Sequence, residues 1–339
     1  MPRASIVIPT WNQVTLLAAT LRSLRAQTFR DFETVVVDNG SDDGTAAMLA
    51  RDFPEARVVA LPENRGFAAA TNAGLRVARG EILVCLNNDV ECEPGWLAAL
   101  VAALDRRPAV GSVASKMLSA ADPGTIDSAG DTMSLVAWNV GRGEPDGPRW
   151  SSGREILSAC AGAAAYRRAL FERVGWLDER YFAWFEDVDL GIRAQLAGFG
   201  CWYAPEAVVR HFGSATAATM SDRKLFLSVR NRLVLFFKTM PLRRVLLWGP
   251  LVIVSPWLDP LLVGRPLRVT ARAWLAFWPM LPGVLRARRD VYARRQVPVG
   301  RLTRLLESPW SDLARGLASL RLRLGGGSPA PPPPRPEAA

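Results

Sequence analysis

The chain has 339 residues, 49% of them apolar and 22% charged, a globular composition long enough to bury a large core and to carry more than one unit. Its formal net charge of +10 calls for an anionic partner, and nucleic acid, anionic lipid and phosphorylated substrates all fit that sign. The four cysteines form no CxxC pair and read as reduced thiols; the N-terminus runs into a strand with no signal-peptide core, so the expectation is a protein that is not secreted.

A short β run, Ser5 to Pro9, is followed by Leu16, Leu17, Thr20, Leu21 and Leu24 at helical spacing. Phe32 to Val37 is a second strand that ends on the polar run Asp38 to Thr45. A helix of Ala46 to Asp52 and a third strand of Ala56 to Leu61 follow. Asn64-Arg65-Gly66-Phe67 opens a helix that reaches Ala78. In Ile82-Leu83-Val84-Cys85-Leu86-Asn87-Asn88-Asp89 an apolar run stops at an acidic end, the pattern of a buried strand in a parallel sheet. The repeated β-α alternation predicts an α/β fold with a doubly wound, mostly parallel sheet. Trp96 to Leu104 reads as a helix and Ala109 to Ala114 as a strand. Asp122 to Arg154, rich in Gly, Pro, Asp and Ser, reads as loops with a short strand near Met133 to Trp138.

Ligands of open α/β sheets sit beyond the carboxyl ends of the strands. That places Asn87, Asn88 and Asp89 at the mouth of a cleft. A carboxylate beside amide oxygens there can hold Mg2+ or Mn2+, which takes further ligands from a diphosphate; a plain Asn-Asn-Asp turn is the alternative. Asp38 could accept an N–H from a nucleotide base or close an Asx-turn, a role that Asp42 or Asp43 suits better. Thr10 and Asn12 could line the same pocket or cap the next helix. Arg65 precedes a helix N-terminus, where phosphate is favoured. GxGxxG and GxxxxGK[ST] are both missing, so dinucleotide and P-loop readings fail. The small residues of Cys160 to Ala165 would let backbone approach a ligand closely. Glu186 and Asp189 fit a helix N-terminus. Asp187, beside Trp184 and Phe185, could be partly desolvated, which suits a general base. His211 is the single histidine, and a lone histidine is more often structural.

Taken together, "VIPTWN", "VVVDNGSDDGT", "NRGFAAATNAG", "GEILVCLNNDV", "GWLDERYFAWFEDVDLGIRA" and "RHFGSAT" resemble a family 2 glycosyltransferase of the GT-A fold, over residues 4–235. Within that family the chain is similar to rhamnosyltransferase-like and galactofuranosyltransferase-like members that build bacterial surface glycans. The resemblance implies that Asp38 contacts the nucleotide base and that Arg65 lies near the nucleotide. It implies a donor site of Thr10, Asn12, Asp38, Arg65 and Asn88 for a dTDP- or UDP-linked sugar. Asp89 matches the last acid of the family's DXD metal motif, with Asn87 in place of the first, and His211 the histidine that completes a Mn2+ or Mg2+ site. Asp187 matches the catalytic base of a single, inverting displacement. The Gln-x-x-Arg-Trp mark of processive synthases does not follow His211, which implies addition of one or few sugars. A nucleotidyltransferase should show a Gly-rich, Lys-containing loop where Pro9-Thr10-Trp11-Asn12 stands. An inactive nucleotide-sugar-binding module is at odds with Asp89 and Asp187. Nucleic-acid binding lacks a docking motif.

These readings divide the chain into a catalytic domain (1–235), an apolar and basic helical extension (236–324) and a disordered Gly/Pro-rich tail (325–339). Val245 to Leu258, interrupted by Pro250 and Pro256, falls short of the roughly 20 residues of a membrane span. Ala273 to Leu285 is a second apolar stretch, and Arg243, Arg244, Arg265, Arg268, Arg272, Arg286, Arg288 and Arg289 flank the two. The expectation is peripheral or monotopic attachment to anionic lipid, at the cytoplasmic face of the inner membrane, beside a glycan or polyprenyl-diphosphate-linked acceptor. A helical cap over the catalytic domain is the alternative. Leu313 to Leu324 could form another basic amphipathic helix.

Overall fold

The computed structural model describes residues 1–213, 222–258 and 266–311. Strands β1 (Ala4–Thr10), β2 (Phe32–Asp38), β3 (Arg57–Ala60) and β4 (Ile82–Leu86) alternate with helices α1 (Val14–Arg25), α2 (Thr45–Asp52) and α3 (Phe67–Val77). The four strands lie in the order β3-β2-β1-β4 and are parallel throughout. The apolar runs of β1, β2 and β4 are buried on both faces, as such a sheet requires. Ile6, Ile8, Val36, Val84 and Leu86 meet Leu17, Leu21 and Leu24 of α1 on one side, with Leu97 and Leu100 of α4 (Trp96–Asp105). Val7, Val35, Val37, Leu83 and Cys85 meet Ala68 and Leu75 of α3 on the other. Each such side chain contributes roughly 1.5–3 kcal/mol by leaving water. Gly74 allows α3 to approach: a Cβ there would lie 2.4 Å from Val7 Cγ1 and 2.8 Å from Val37 Cγ2.

Beyond β4 the sheet becomes mixed, with β6 and β12 keeping the direction of the first four strands. Strand β11 (Ala163–Arg167), in the small-residue stretch, runs antiparallel between β4 and β6 (Val110–Ser119). The strand expected at Ala109 to Ala114 thus continues to Ser119. Strand β12 (Gly200–His211) runs parallel to β6 and antiparallel to β5 (Val90–Cys92) and to β10 (Arg154–Ile156). Strand β7 (Ile126–Ser128) pairs antiparallel with β6. The single short strand expected near Met133 to Trp138 is instead a hairpin of β8 (Asp131–Met133) and β9 (Ala137–Asn139). Its turn is closed by the Ser134 N–H on the Val136 carbonyl, at 3.2 Å. The apolar residues there mark a buried turn, since Leu135 is 7% exposed.

Helices α5 (Arg168–Val174), α6 (Glu186–Leu196), α7 (Asp222–Thr239), α8 (Leu242–Val254), α9 (Leu267–Phe277), α10 (Leu281–Ala293) and α11 (Val299–Leu305) complete the described chain. Position 235 falls inside α7. A third core joins Val188 and Ile192 of α6 to Leu233 and Phe236 of α7, Val252 of α8 and Phe277 of α9. Charge reinforces that junction: Lys238 Nζ lies 2.6 Å from Asp178 Oδ2 and 2.7 Å from Asp189 Oδ1. The C-terminal helices therefore pack against α6 and, through it, the sheet-bearing part of the chain. Their outer face stays apolar, with Leu246 71% and Leu247 66% exposed. Among the described residues no helix is long and apolar enough to cross a membrane. The Leu313 to Leu324 segment and the 325–339 tail lie outside the described residues.

Candidate active site

A cavity of about 730 Å³ opens at the carboxyl ends of β1 and β4. Thr10, Asn12, Asn88, Asp89, Asp187 and His211 all line it. The sheet explains why distant residues meet. In the β5–β12 ladder His211 faces Val90, and the Phe212 N–H donates to the Asp89 carbonyl at 3.0 Å. His211 Nε2 then lies 3.3 Å from Asp89 Oδ1. Pairing of β7 with β6 brings Asp127 to the other ring nitrogen, with Nδ1 2.8 Å from Asp127 Oδ2. Burial would strip the imidazole of its proton, but the hydrogen bond to Asp127 and the nearby Asp89 carboxylate outweigh it and raise His211 to about 9.

Asp89 is 4% exposed, and its Oδ1 accepts no well-formed hydrogen bond among the described residues. A buried carboxylate oxygen left open beside a ring nitrogen, both facing one cavity, is a donor pair that fits a divalent cation. Asp127 on Nδ1 would fix the tautomer that presents Nε2 to the ion. Asp131, Cys160 and Asp187 form another close group, with their O, S and O atoms within 4.8 Å of one another. Burial holds the Cys160 thiol well above its ordinary pKa, so it stays protonated and offers a hard cation little.

Asp187 stands in the first turn of α6, partly exposed to the cavity. Its Oδ2 accepts the Ala161 N–H at 3.0 Å and its Oδ1 the Val188 N–H at 2.8 Å. Burial raises its proton affinity, and those N–H groups oppose the rise. Glu186 beside it is 4% exposed, and its Oε2 has no hydrogen-bond partner among the described residues. Burial, with the Asp187 charge next to it, pushes Glu186 well up. Both acids of this pair are pushed up by burial, and they differ in geometry: both Asp187 oxygens accept backbone N–H groups, whereas Glu186 Oε2 accepts none among the described residues.

The donor-site candidates divide. The Thr10 hydroxyl accepts from Asn88 Nδ2 at 2.9 Å, and Asn12 Oδ1 accepts the Asp42 N–H at 3.0 Å, so both also brace the rim. Asp38 Oδ1 accepts the Ser41 N–H at 2.9 Å, the turn geometry foreseen as its alternative. Asp43, the better capping candidate, accepts the Val14 N–H at 2.8 Å. Asp38 and Arg65 are absent from the cavity wall, although their neighbours Asn39, Asn64 and Gly66 belong to it. Arg65 Nη2 points instead to Glu179 Oε2, at 3.8 Å.

Several wall residues escaped the sequence reading. Asp127 and Asp131 lie in a stretch that reads as loop. Their spacing of four, in a Gly- and Ser-rich segment, was the available signal. The five non-glycine residues with positive φ among those described are Asn12, Gln13, Phe182, Trp184 and Phe185, and every one lines the cavity. Such conformations cost about 1–3 kcal/mol each and gather at functional sites. Asn231 of α7, fully buried, holds this loop: its Nδ2 donates to the carbonyls of Tyr181 at 2.8 Å, Ala183 at 2.8 Å and Trp184 at 3.0 Å. Gly66 lets Phe182 close over α3, since a Cβ there would lie 2.6 Å from Phe182 Cγ.

Comparison with known proteins identifies the family and the fold. The family model described as "Glycosyl transferase family 2" matches residues 5–175. The chain is 31% identical over 229 residues to the O-antigen biosynthesis protein RfbC of Myxococcus xanthus, covering 63% of this chain and 18% of that protein's length. It is 30% identical over 232 residues to the N-acetylglucosaminyl-diphospho-decaprenol L-rhamnosyltransferase of Mycobacterium tuberculosis, covering 61% of this chain and 75% of that one. Among solved structures, the mannosyltransferase PcManGT of Pyrobaculum calidifontis, in complex with GDP-Man and Mn2+, superposes with a TM-score of 0.52 at 21% identity. That match covers 96% of this chain and 86% of the other, and at this identity it speaks to the fold.

Proposed function

This chain belongs to glycosyl transferase family 2 and is a glycosyltransferase on a GT-A-like α/β fold, and from that premise we propose that it moves a sugar, rhamnose in our reading, from a dTDP- or UDP-linked donor to a hydroxyl of a glycan or polyprenyl-diphosphate-linked acceptor in bacterial surface-polysaccharide synthesis. The observation that carries the proposal is the convergence of Asp89, His211 and Asp187 on one cavity wall. The mycobacterial relative, whose name specifies an L-rhamnosyl transfer to a diphospho-decaprenol acceptor, supports the choice of sugar and acceptor.

In this reading Asp89 and His211 hold Mn2+ or Mg2+, which when bound supplies positive charge against the donor's diphosphate. Thr10, Asn12 and Asn88 line the donor side of the cavity, with Asp38 and Arg65 just behind it. Asp187, whose carboxylate oxygens accept the N–H groups of Ala161 and Val188, takes the proton from the acceptor hydroxyl. That oxygen forms its bond to the anomeric carbon from the face opposite the nucleotide. The bond from carbon to diphosphate breaks, its electron pair leaves with the nucleotide, and the configuration inverts. The strained 182–185 loop closes the cavity on the acceptor side and keeps competing water out.

The enzyme works, in this account, at the cytoplasmic face of the inner membrane. The exposed leucines of α8 and the arginines beside them support peripheral attachment. A thermal-shift panel of nucleotide-sugars, with and without Mn2+ or Mg2+, tests the donor assignment. A rise in melting temperature confined to dTDP- or UDP-sugars plus the ion is expected. Equal stabilisation by every nucleotide, or none with the ion present, would overturn it.

A further inference from the structure

A second cavity, of about 460 Å³, adjoins the first, and the two share Phe182, Arg223 and Leu227 in their walls. We propose that this second cavity seats the diphosphate of the acceptor, so that one sugar ring bridges it to Asp187. The proposal rests on the reading of a diphosphate-linked acceptor given above.

Three arginines line it, Arg223, Arg230 and Arg272, together with Phe226 and one acid, Asp222. Asp222 is engaged by Arg268, at 3.3 Å. Among the described residues no carboxylate lies within 4.0 Å of Arg223, Arg230 or Arg272, so the wall carries uncompensated positive charge. Arg223 lies over the Phe182 ring, 4.3 Å from its centroid, and Arg230 lies 5.7 Å from that of Phe226. Arg230 Nη2 also donates to the carbonyls of Arg180 at 2.9 Å and Tyr181 at 3.0 Å. Burial presses Arg230 towards losing its proton. Cations held against aromatic rings without a counter-charge are completed by an anion, and planar guanidinium forks match phosphate oxygens.

Place and shape agree with an acceptor in particular. The shared wall residue Phe182 belongs to the loop beside Asp187, so a sugar leaving the second cavity would present its hydroxyl to that carboxylate. Helix α9 carries Arg272 and Val269 on the cavity and Leu267, 56% exposed, and Leu275, 60% exposed, on its outside. An isoprenoid chain attached to the diphosphate thus has an apolar surface to follow.

The test uses the full chain and geranyl diphosphate as probe, in EDTA, followed by calorimetry. Geraniol and inorganic pyrophosphate are the comparison ligands under the same conditions, and UDP is compared with Mn2+ restored. Wild type should bind geranyl diphosphate and ignore geraniol. Arg272→Gln and Arg223→Gln should each weaken binding about tenfold, while Arg51→Gln, outside both cavities, leaves it unchanged and Arg272→Gln leaves UDP binding unchanged. Binding of geraniol equal to that of its diphosphate, unchanged binding in both arginine variants, or a loss in UDP binding of the same size would overturn the assignment. Inorganic pyrophosphate bound as tightly as geranyl diphosphate would assign the cavity to free diphosphate and overturn it as an acceptor seat. None of these readings needs turnover, so they stand apart from any failure to find transfer. Where transfer is measured, Arg272→Gln should raise the acceptor KM about tenfold and leave the donor KM unchanged; the reverse pattern would also overturn it.

Discussion

His211 Nε2 lies 3.3 Å from Asp89 Oδ1, a contact set by the antiparallel register of β5 and β12 rather than by nearness in sequence. With Asp127 on the opposite ring nitrogen, the imidazole is held between two carboxylates. Its pKa of about 9 exceeds the unfolded value of about 6.5, so the charged ring stabilises the metal-free fold fully below that pH, and the contribution fades as pH rises through 9. In EDTA, the NMR titration of this single histidine should centre near 9, and Asp127→Asn should lower the midpoint by about a unit or more. A midpoint near 6.5 in both proteins would mean that the two carboxylates do not hold the ring.

Asp178 gives the opposite sign. Burial alone would raise it, but Arg180 and Lys238 hold it well below the usual carboxylate range. A depressed folded pKa contributes stability above the unfolded value of about 3.9 and loses it as pH falls below. Asp178→Asn, which leaves Lys238 and Arg180 short of a partner, should cost about 3 kcal/mol at pH 7 in urea unfolding. The gap to wild type should narrow below about pH 4. A gap that does not change with pH would show that the carboxylate's charge is not what matters.

Asn231 should matter more than its place in an ordinary helix suggests. Removing its amide frees the carbonyls of Tyr181, Ala183 and Trp184 from their clamp. Asn231→Leu should destabilise the fold by about 3 kcal/mol, and hydrogen exchange should rise in the 181–185 loop before the rest of the protein. Exchange that rises uniformly would contradict a local clamp.

The sequence made the parallel half of the fold legible because β1, β2 and β4 are apolar runs bounded by punctuating residues. It hid β11, since an Ala-rich stretch has no strand signature until β4 and β6 flank it. Of the long β12 only a short strand before Val208 was legible, because its register with β6 shifts between Ala204 and Val208 and its second half continues past that break. Asp187 was visible through its aromatic neighbours, whereas His211 gained meaning only from the resemblance. Asp127 and Asn231 belong to the site through tertiary contacts that leave no local pattern. Asp38 and Arg65 show the converse: Asp38, at the end of β2, turns its carboxylate to the Ser41 N–H of the adjoining loop, and Arg65, just before α3, reaches Glu179.

Membrane attachment predicts sedimentation with vesicles rich in phosphatidylglycerol, weakened by salt. Leu246→Glu with Leu247→Glu should reduce binding tenfold or more without lowering the melting temperature, because both side chains already face water. Unchanged vesicle binding by the double variant would point to a different attachment face.

The central claim is that Asp187 receives the acceptor's proton. Transfer to a proven acceptor should be compared for wild type and Asp187→Asn at saturating donor and Mn2+. The account predicts a fall in kcat of about 10²–10⁴-fold with the donor KM nearly unchanged. Full transfer by the Asn variant would contradict it.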